Sequence, residues 1–300
     1  MSLLQGTEII YECSRPAESL QSGVNIVGAG FDGTACFRKG AAAGPDAIRR
    51  VSADIESYSP YLDRDLTDVV FYDLGNINVG NSGDAGHDWQ VFHEAFLRLL
   101  EPADFVGGGA KLLTLGGEHS VSYPGIAQYL ASFPDLLLLH LDAHADLRDG
   151  YEGYHFSHAS VIRRCLDHFG AGHQLAQFGI RSGTREEFQW MRENKTLQRS
   201  LQQFLSFLQQ VPKERPVYLT LDLDFFDPAF LPGTGTPEAG GEDFHSFVSI
   251  IKLLSEKNLV GGDVVELAPV IDPTGNSDVL AAKVVRELIL ALHGEGVHGG

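Results

Sequence analysis

Short apolar runs alternate along this chain with longer stretches in which apolar residues recur every three or four positions. The runs at 25–30, 69–75, 111–115, 135–141, 175–180, 217–221 and 263–267 have the length of strands. Several are almost wholly apolar, Leu136-Leu137-Leu138-Leu139 most clearly. Strands covered on both faces look like this, so the pattern predicts a parallel sheet enclosed by helices. Between the runs, 45–51 opens on Pro45, which suits the first turn of a helix. Val91, Phe92, Ala95, Phe96 and Leu99 share one helical face within 89–100, as do Leu201, Phe204, Leu205 and Leu208 within 200–211. The stretches 246–254 and 278–292 follow the same rule, with Asp278 expected as an N-cap. Such alternation implies right-handed crossovers and an α/β fold, a single doubly wound domain with a central, mainly parallel sheet flanked by helices. No repeat, low-complexity tract or interdomain linker interrupts it, so 1–300 reads as one domain with 1–22 as an N-terminal extension.

In doubly wound folds, sites form at the carboxyl ends of strands. The segment LLLLHLDAHAD (136–146) places Asp142, His144 and Asp146 at alternate positions after an apolar strand, where an extended chain turns all three to one side. YLTLDLDFFDP (218–228) repeats the logic with Asp222 and Asp224. An Asp-x-Asp alone also fits a turn or a helix cap; the repetition gives it weight. In KLLTLGGEHSVSYP (111–124) a strand ends in Gly116-Gly117, which permit a tight turn or close backbone approach, and His119 follows. Taken alone, His119 is also an ordinary loop histidine. Four carboxylates brought together without a cation would repel each other at high desolvation cost. Two divalent cations balance them, and an all-oxygen and imidazole donor set suits manganese first, then magnesium, zinc or iron(II). A two-metal site of this kind generates a hydroxide nucleophile and polarises its target.

The net charge of −18 removes two classes of partner, nucleic acid and anionic membrane surfaces, both of which call for a basic face. It suits a small cationic substrate, although solubility alone also accounts for it. Cys13, Cys36 and Cys165 are odd in number and far apart, with no Cys-x-x-Cys pair, so a reducing compartment is expected. The N-terminal stretch MSLLQGTEIIYECSRP lacks the pattern of a signal peptide and no run approaches the length of a membrane span. The cytoplasm is the expected location.

The stretches GGEHS (116–120), DAHAD (142–146), DLDFFDPAFLPGTGTPEAGG (222–241) and VVELAP (264–269) together resemble the ureohydrolase family, which includes arginase, agmatinase and other enzymes of guanidino substrates. FDGTACFRKGAAAGPDAIRR (31–50) and GIRSGTREE (179–187) add to the resemblance, which runs from near residue 25 to the C-terminus. It implies a binuclear site with two Mn2+ ions per chain. His119, Asp142, Asp146 and Asp222 would bind one ion, and Asp142, His144, Asp222 and Asp224 the other. By the same resemblance Asp146 serves the nucleophile and the leaving amine, and Glu266 in VVELAP grips the guanidinium. His158 in HFSHAS shuttles protons, with His155 as the competing candidate. Thr236 in GTGTPE lines the substrate pocket.

Among ureohydrolases, the GTGTPEAGG form (233–241) resembles agmatinases, which convert agmatine to putrescine and urea. The loop LRDGYEGYHFSHAS (147–160) lacks the Ser/Asn-rich segment that arginases use to read an α-amino acid. Asp149 and Glu152, with Tyr154, are candidates to hold the ammonium end of agmatine. A guanidino acid such as 4-guanidinobutyrate would instead need Arg148, Arg163 or Arg164; arginine and formimidoylglutamate fit less well. Departures from the family pattern, Glu118 in GGEHS and Ala159-Ser160 in HFSHAS, remove no ligand. Metal-dependent deacetylases share a related sheet but use one zinc and a sparser Asp/His set. A non-catalytic scaffold would have lost part of the catalytic set, which here is complete. The resemblance further implies a homo-oligomer, a trimer or hexamer.

Overall fold

The computed structural model describes residues 3–294, so the first two residues of the expected 1–22 extension and the last six of the chain lie outside the described residues. The strands are β1 (Leu4–Gln5), β2 (Arg15–Pro16), β3 (Gly23–Ala29), β4 (Tyr58–Ser59), β5 (Arg64–Asp65), β6 (Phe71–Ile77), β7 (Ala110–Gly116), β8 (Leu137–Leu141), β9 (Gln174–Phe178), β10 (Leu197–Gln198), β11 (Pro216–Asp222) and β12 (Asn258–Val265). The helices are α1 (Gly44–Ser52), α2 (Ala85–Leu100), α3 (Tyr123–Ser132), α4 (Val161–Leu166), α5 (Arg185–Asn194), α6 (Leu201–Gln210), α7 (Phe244–Ser255) and α8 (Asn276–His293). The main sheet runs β1-β6-β3-β7-β12-β11-β8-β9-β10, with β2 beside β6. Its pairings are parallel except β1 with β6, where the N-terminal segment closes one edge.

Both faces of the sheet are covered. In β8, Leu137, Leu139 and Leu141 enter one core with α1, α6, α7 and α8, while Leu138 enters the other with α2, α3 and α4. That two-sided burial is what the run of leucines encodes. The N-terminal segment is part of the packing: Ile10 and Tyr11 are buried, and the Ile10 N–H donates to Asp73. No helix among the described residues is long and apolar enough to cross a membrane.

Several elements depart from the sequence reading. The strand expected at 263–267 begins at Asn258, because Gly261 lies under the Tyr129 ring, where a Cβ would come within 2.6 Å of a ring atom. Glycine in a strand marks such a close approach rather than a break. Helix α8 starts at Asn276 after Gly275, so Asp278 sits in the first turn and is not the N-cap. The carboxylate at that helix start belongs to Asp272, which accepts from the Ser277 N–H and hydroxyl. Helices α3, α4 and α5 have no counterpart in the pattern; α5 buries only Glu187 and Met191 and carries no apolar stripe.

The crossover from β7 to β8 passes over β12 and β11. Four neighbouring strands, β7, β12, β11 and β8, therefore send their carboxyl ends into one region at the point where strand order breaks, which is where a doubly wound sheet opens a crevice.

Candidate metal centre

Each of these four ends delivers site residues through its own turn. After β7, Gly117 lies so close to the 29–31 segment that a Cβ would come within 2.0 Å of the Phe31 carbonyl oxygen. Its N–H donates to Ala29 at 2.7 Å, and His119 then opens a short 3-10 turn. After β8 the chain does not simply stay extended. Asp146 adopts φ 55°, a left-handed conformation, and this turn brings it back beside His119. Fully extended, 142–146 would span roughly 13 Å. Likewise Asp224 is not a second strand residue alternating with Asp222: β11 ends at Asp222, whose carboxylate caps the following 3-10 turn by accepting from the Asp224 N–H at 2.8 Å. After β12, Glu266 takes φ 68°, and its carboxylate accepts from the His119 N–H at 2.8 Å.

The side chains meet around Asp142. His119 Nδ1 is 3.1 Å from Asp142 Oδ2, 3.1 Å from Asp146 Oδ2 and 3.5 Å from Asp222 Oδ2. His144 Nδ1 is 2.9 Å from Asp224 Oδ2 and 3.6 Å from Asp142 Oδ1. Two groups of donor atoms are thus close enough to hold an ion: His119, His140, Asp142 and Asp146 in one, Asp142, His144 and Asp224 in the other. Asp142 is common to both. All six residues read as ligands from sequence are brought together. His140 joins them unpredicted, although strand alternation places it on the same face as Asp142.

The donor set fits a divalent cation on two observations. His119 Nδ1 and Asp224 Oδ2 are buried and, despite N···O distances of 3.1 and 2.9 Å to their nearest neighbours, neither makes an aligned hydrogen bond. Buried polar atoms are seldom left so. The His119 ring is also oriented: the Thr220 hydroxyl donates to Asp263 at 2.6 Å and so accepts from Nε2 at 2.8 Å, which aims the Nδ1 lone pair at the carboxylates.

The charges agree with that reading. Burial raises Asp222 well above the carboxylate range, with Asp224 and Asp142 adding to it. Burial and the Asp142 charge also raise Asp146 and Asp224. Burial would lower His144, but Asp224 and Asp142 outweigh it and push that imidazole up to about 12. The cluster draws protons to itself as it would draw a cation.

A cavity of about 240 Å³ opens over the cluster, and His158, Thr236 and Glu266 are among the residues that line it. Burial, with the nearby His144, pushes His158 down to about 4, and its Nδ1 has no partner. His155 is outside the cavity, engaged by Arg164 Nη1 at 2.8 Å. Burial, and then Glu118, raise Glu266 well above its usual range. Glu118 itself, holding Thr34 and Ser120, is pushed to about 7 by burial.

Two expectations are corrected. Asp149 and Glu152 do not line the cavity. The Asp149 carboxylate is taken by buried Arg164, and Glu152 lies exposed in a left-handed turn. Of the three arginines considered for a carboxylate tail, Arg164 is thereby occupied and Arg163 pairs with Asp167 at 2.6 Å. Arg148 lines the cavity, its guanidinium 4.7 Å above the Tyr151 ring. Glu187 lines it too, a residue the pattern did not single out; its carboxylate accepts from the Leu147 and Thr184 N–H groups.

A model of the arginase family matches residues 22–291. The chain is 43% identical over 279 residues to the agmatinase of Bacillus anthracis, covering 90% of this chain and 92% of that protein. It is 39% identical over 285 residues to the agmatinase of Bacillus subtilis (strain 168), covering 94% and 95%. Among solved structures, the proclavaminate amidino hydrolase from Streptomyces clavuligerus superposes with a TM-score of 0.83 at 25% identity, covering 98% of this chain and 99% of that one.

Proposed function

The chain belongs to the arginase family, hydrolases of guanidino compounds, and from that premise we propose that it cleaves agmatine to urea and putrescine with two Mn2+ ions. The observation that carries this reading is the pair of buried donor groups joined at Asp142, in a chain 43% identical to an agmatinase. His119, Asp142, Asp146 and Asp222 would hold one ion, and Asp142, His144, Asp222 and Asp224 the other. When bound, such a pair supplies a hydroxide nucleophile at neutral pH and polarises the guanidinium carbon.

The chain's own groups do the rest. Glu266 offers a carboxylate to the planar fork of guanidinium donors, which fixes the carbon over the cluster. Thr236 closes the wall beside it. The oxygen of water adds to the guanidinium carbon, and the bond from that carbon to the chain nitrogen breaks. Asp146 holds the proton released by the water and delivers it to the departing amine. His158, lining the cavity with its Nδ1 unpartnered, accepts or returns the proton exchanged with solvent. Putrescine biosynthesis in the cytoplasm, by a trimer or hexamer, completes the proposal.

One observation favours a second reading. Arg148 in the cavity wall would suit the carboxylate of 4-guanidinobutyrate. Urea release with Mn2+ across agmatine, arginine, 4-guanidinobutyrate and 3-guanidinopropionate decides between them. Agmatine is expected to give the highest kcat/KM; preference for a guanidino acid, lost in Arg148→Ala, would overturn the agmatine assignment.

A further inference from the structure

His140 is fully buried in β8, and nothing in the proposed reaction uses it. Its Nε2 lies 2.7 Å from Asp142 Oδ2. On its other side, Nδ1 is 3.1 Å from Nε2 of Gln177, the residue directly opposite in the β8–β9 ladder. The Gln177 amide has little freedom. Its nitrogen also donates to the Ala145 carbonyl at 3.2 Å, and its oxygen accepts from the Thr196 hydroxyl at 2.8 Å. Both amide hydrogens are therefore spent, one on Ala145 and one on His140 Nδ1. Nδ1 is an acceptor, so the ring proton sits on Nε2 and is donated to Asp142.

This hydrogen-bond order bears on which residues can be ligands. His140 lies within reach of the His119, Asp142 and Asp146 donor atoms. A ligand nitrogen needs a free lone pair, and neither nitrogen of His140 has one. Its bond to Asp142 has a different consequence. Asp142 belongs to both donor groups, so its rotation would disturb both at once. Its Oδ2 is held by His140 while Oδ1 accepts from the His144 N–H.

We propose that His140, fixed by Gln177 and Thr196, is a positioning residue that locks the Asp142 carboxylate in the orientation a shared divalent-cation ligand requires. The line Thr196–Gln177–His140–Asp142 runs inside the sheet and ends at the cluster. It complements the Asp263–Thr220–His119 line, which arrives from β11 and β12. One line orients an imidazole and the other a carboxylate. The inference rests on the reading of Asp142 as a shared metal ligand.

The test is a calorimetric Mn2+ titration of chelator-stripped, dialysed protein, wild type beside His140→Phe and Gln177→Leu. Phenylalanine keeps a buried ring and removes the donor; leucine removes the amide that sets the tautomer. His140→Phe is expected to weaken at least one Mn2+ site by about 10–100-fold, the usual effect of losing a partner behind a metal ligand. At saturating Mn2+ the KM for agmatine should stay within about threefold of wild type while kcat falls. A folded His140→Phe that binds Mn2+ as wild type does overturns the proposal. If His140→Phe does not fold, Gln177→Leu decides in the same way, a weakened site supporting the inference and an unchanged one overturning it. A wild type that binds no Mn2+ would overturn the two-metal reading itself, and this inference with it; a wild type that binds two ions beside variants that also bind two unchanged overturns the inference alone.

Discussion

Glu266 is held at φ 68°, a conformation that costs a non-glycine residue about 1–3 kcal/mol. Its carboxylate is also buried beside Glu118, and both effects oppose folding. Strain of this kind clusters at functional sites. Glu266→Gln keeps an acceptor for the His119 N–H and removes the charge. In chelator its thermal midpoint should equal or exceed that of wild type, while kcat/KM for agmatine drops at least about 100-fold. Wild-type kcat/KM in this variant would take Glu266 out of the guanidinium contact. The chemistry at this scale was largely legible in the sequence: the Asp-x-His-x-Asp and Asp-x-Asp spacings and His119 named six of the residues that converge. The means of convergence were not, because left-handed Asp146 and Glu266 have no marker such as glycine. His140 was hidden by its surroundings, a single polar residue inside an apolar run. The loop acids Asp149 and Glu152 failed for a further reason: loop composition carries no information about which partner a carboxylate will find, and Arg164 takes Asp149.

Among the elements, α8 shows how a helix start escapes a pattern search. Asp272 lies four residues before Asn276, and it accepts from the N–H and hydroxyl of both Thr274 and Ser277. Ser277 Oγ in turn accepts from the Gly233 N–H at 2.9 Å, so the same knot fixes the start of the segment that carries Thr236. Burial works against the Asp272 charge, yet the hydrogen bonds hold its carboxyl down at about 2. The folded value lies below the unfolded one, so this stabilisation is complete above about pH 4 and is lost as pH falls toward 2. Asp272→Ala should lower unfolding free energy by about 1–2 kcal/mol at pH 7, as loss of a helix cap does. The gap between variant and wild type should narrow between pH 4 and pH 2 in urea denaturation; a constant gap would mean the carboxylate's charge is not what anchors the helix. The buried strands were legible because a short, continuous apolar run bounded by turn residues fits little besides a strand covered on both faces. Helix α5 was not, since it is fixed by the Thr184–Glu187 capping box and contacts at Met191 rather than by an apolar face.

The whole molecule carries a charge of −18, and the cavity above the carboxylate cluster opens into that field. A cleft of one sign focuses the potential and raises the local concentration of an oppositely charged substrate, by about tenfold or more at low salt. Agmatine carries two positive charges, and 4-guanidinobutyrate is a zwitterion with none in sum. The field should therefore act on one and pass over the other. With the Debye length falling from about 10 Å at 0.1 M to about 3 Å at 1 M, added salt removes the focusing without touching the buried contacts of Glu266. For agmatine, kcat/KM measured at saturating Mn2+ should fall severalfold across that range through KM, with kcat unchanged. For 4-guanidinobutyrate it should stay nearly level. A flat profile for agmatine would mean that the acidic surface serves solubility, and that discrimination between the two substrates is made entirely inside the cavity, where Arg148 stands nearest the question.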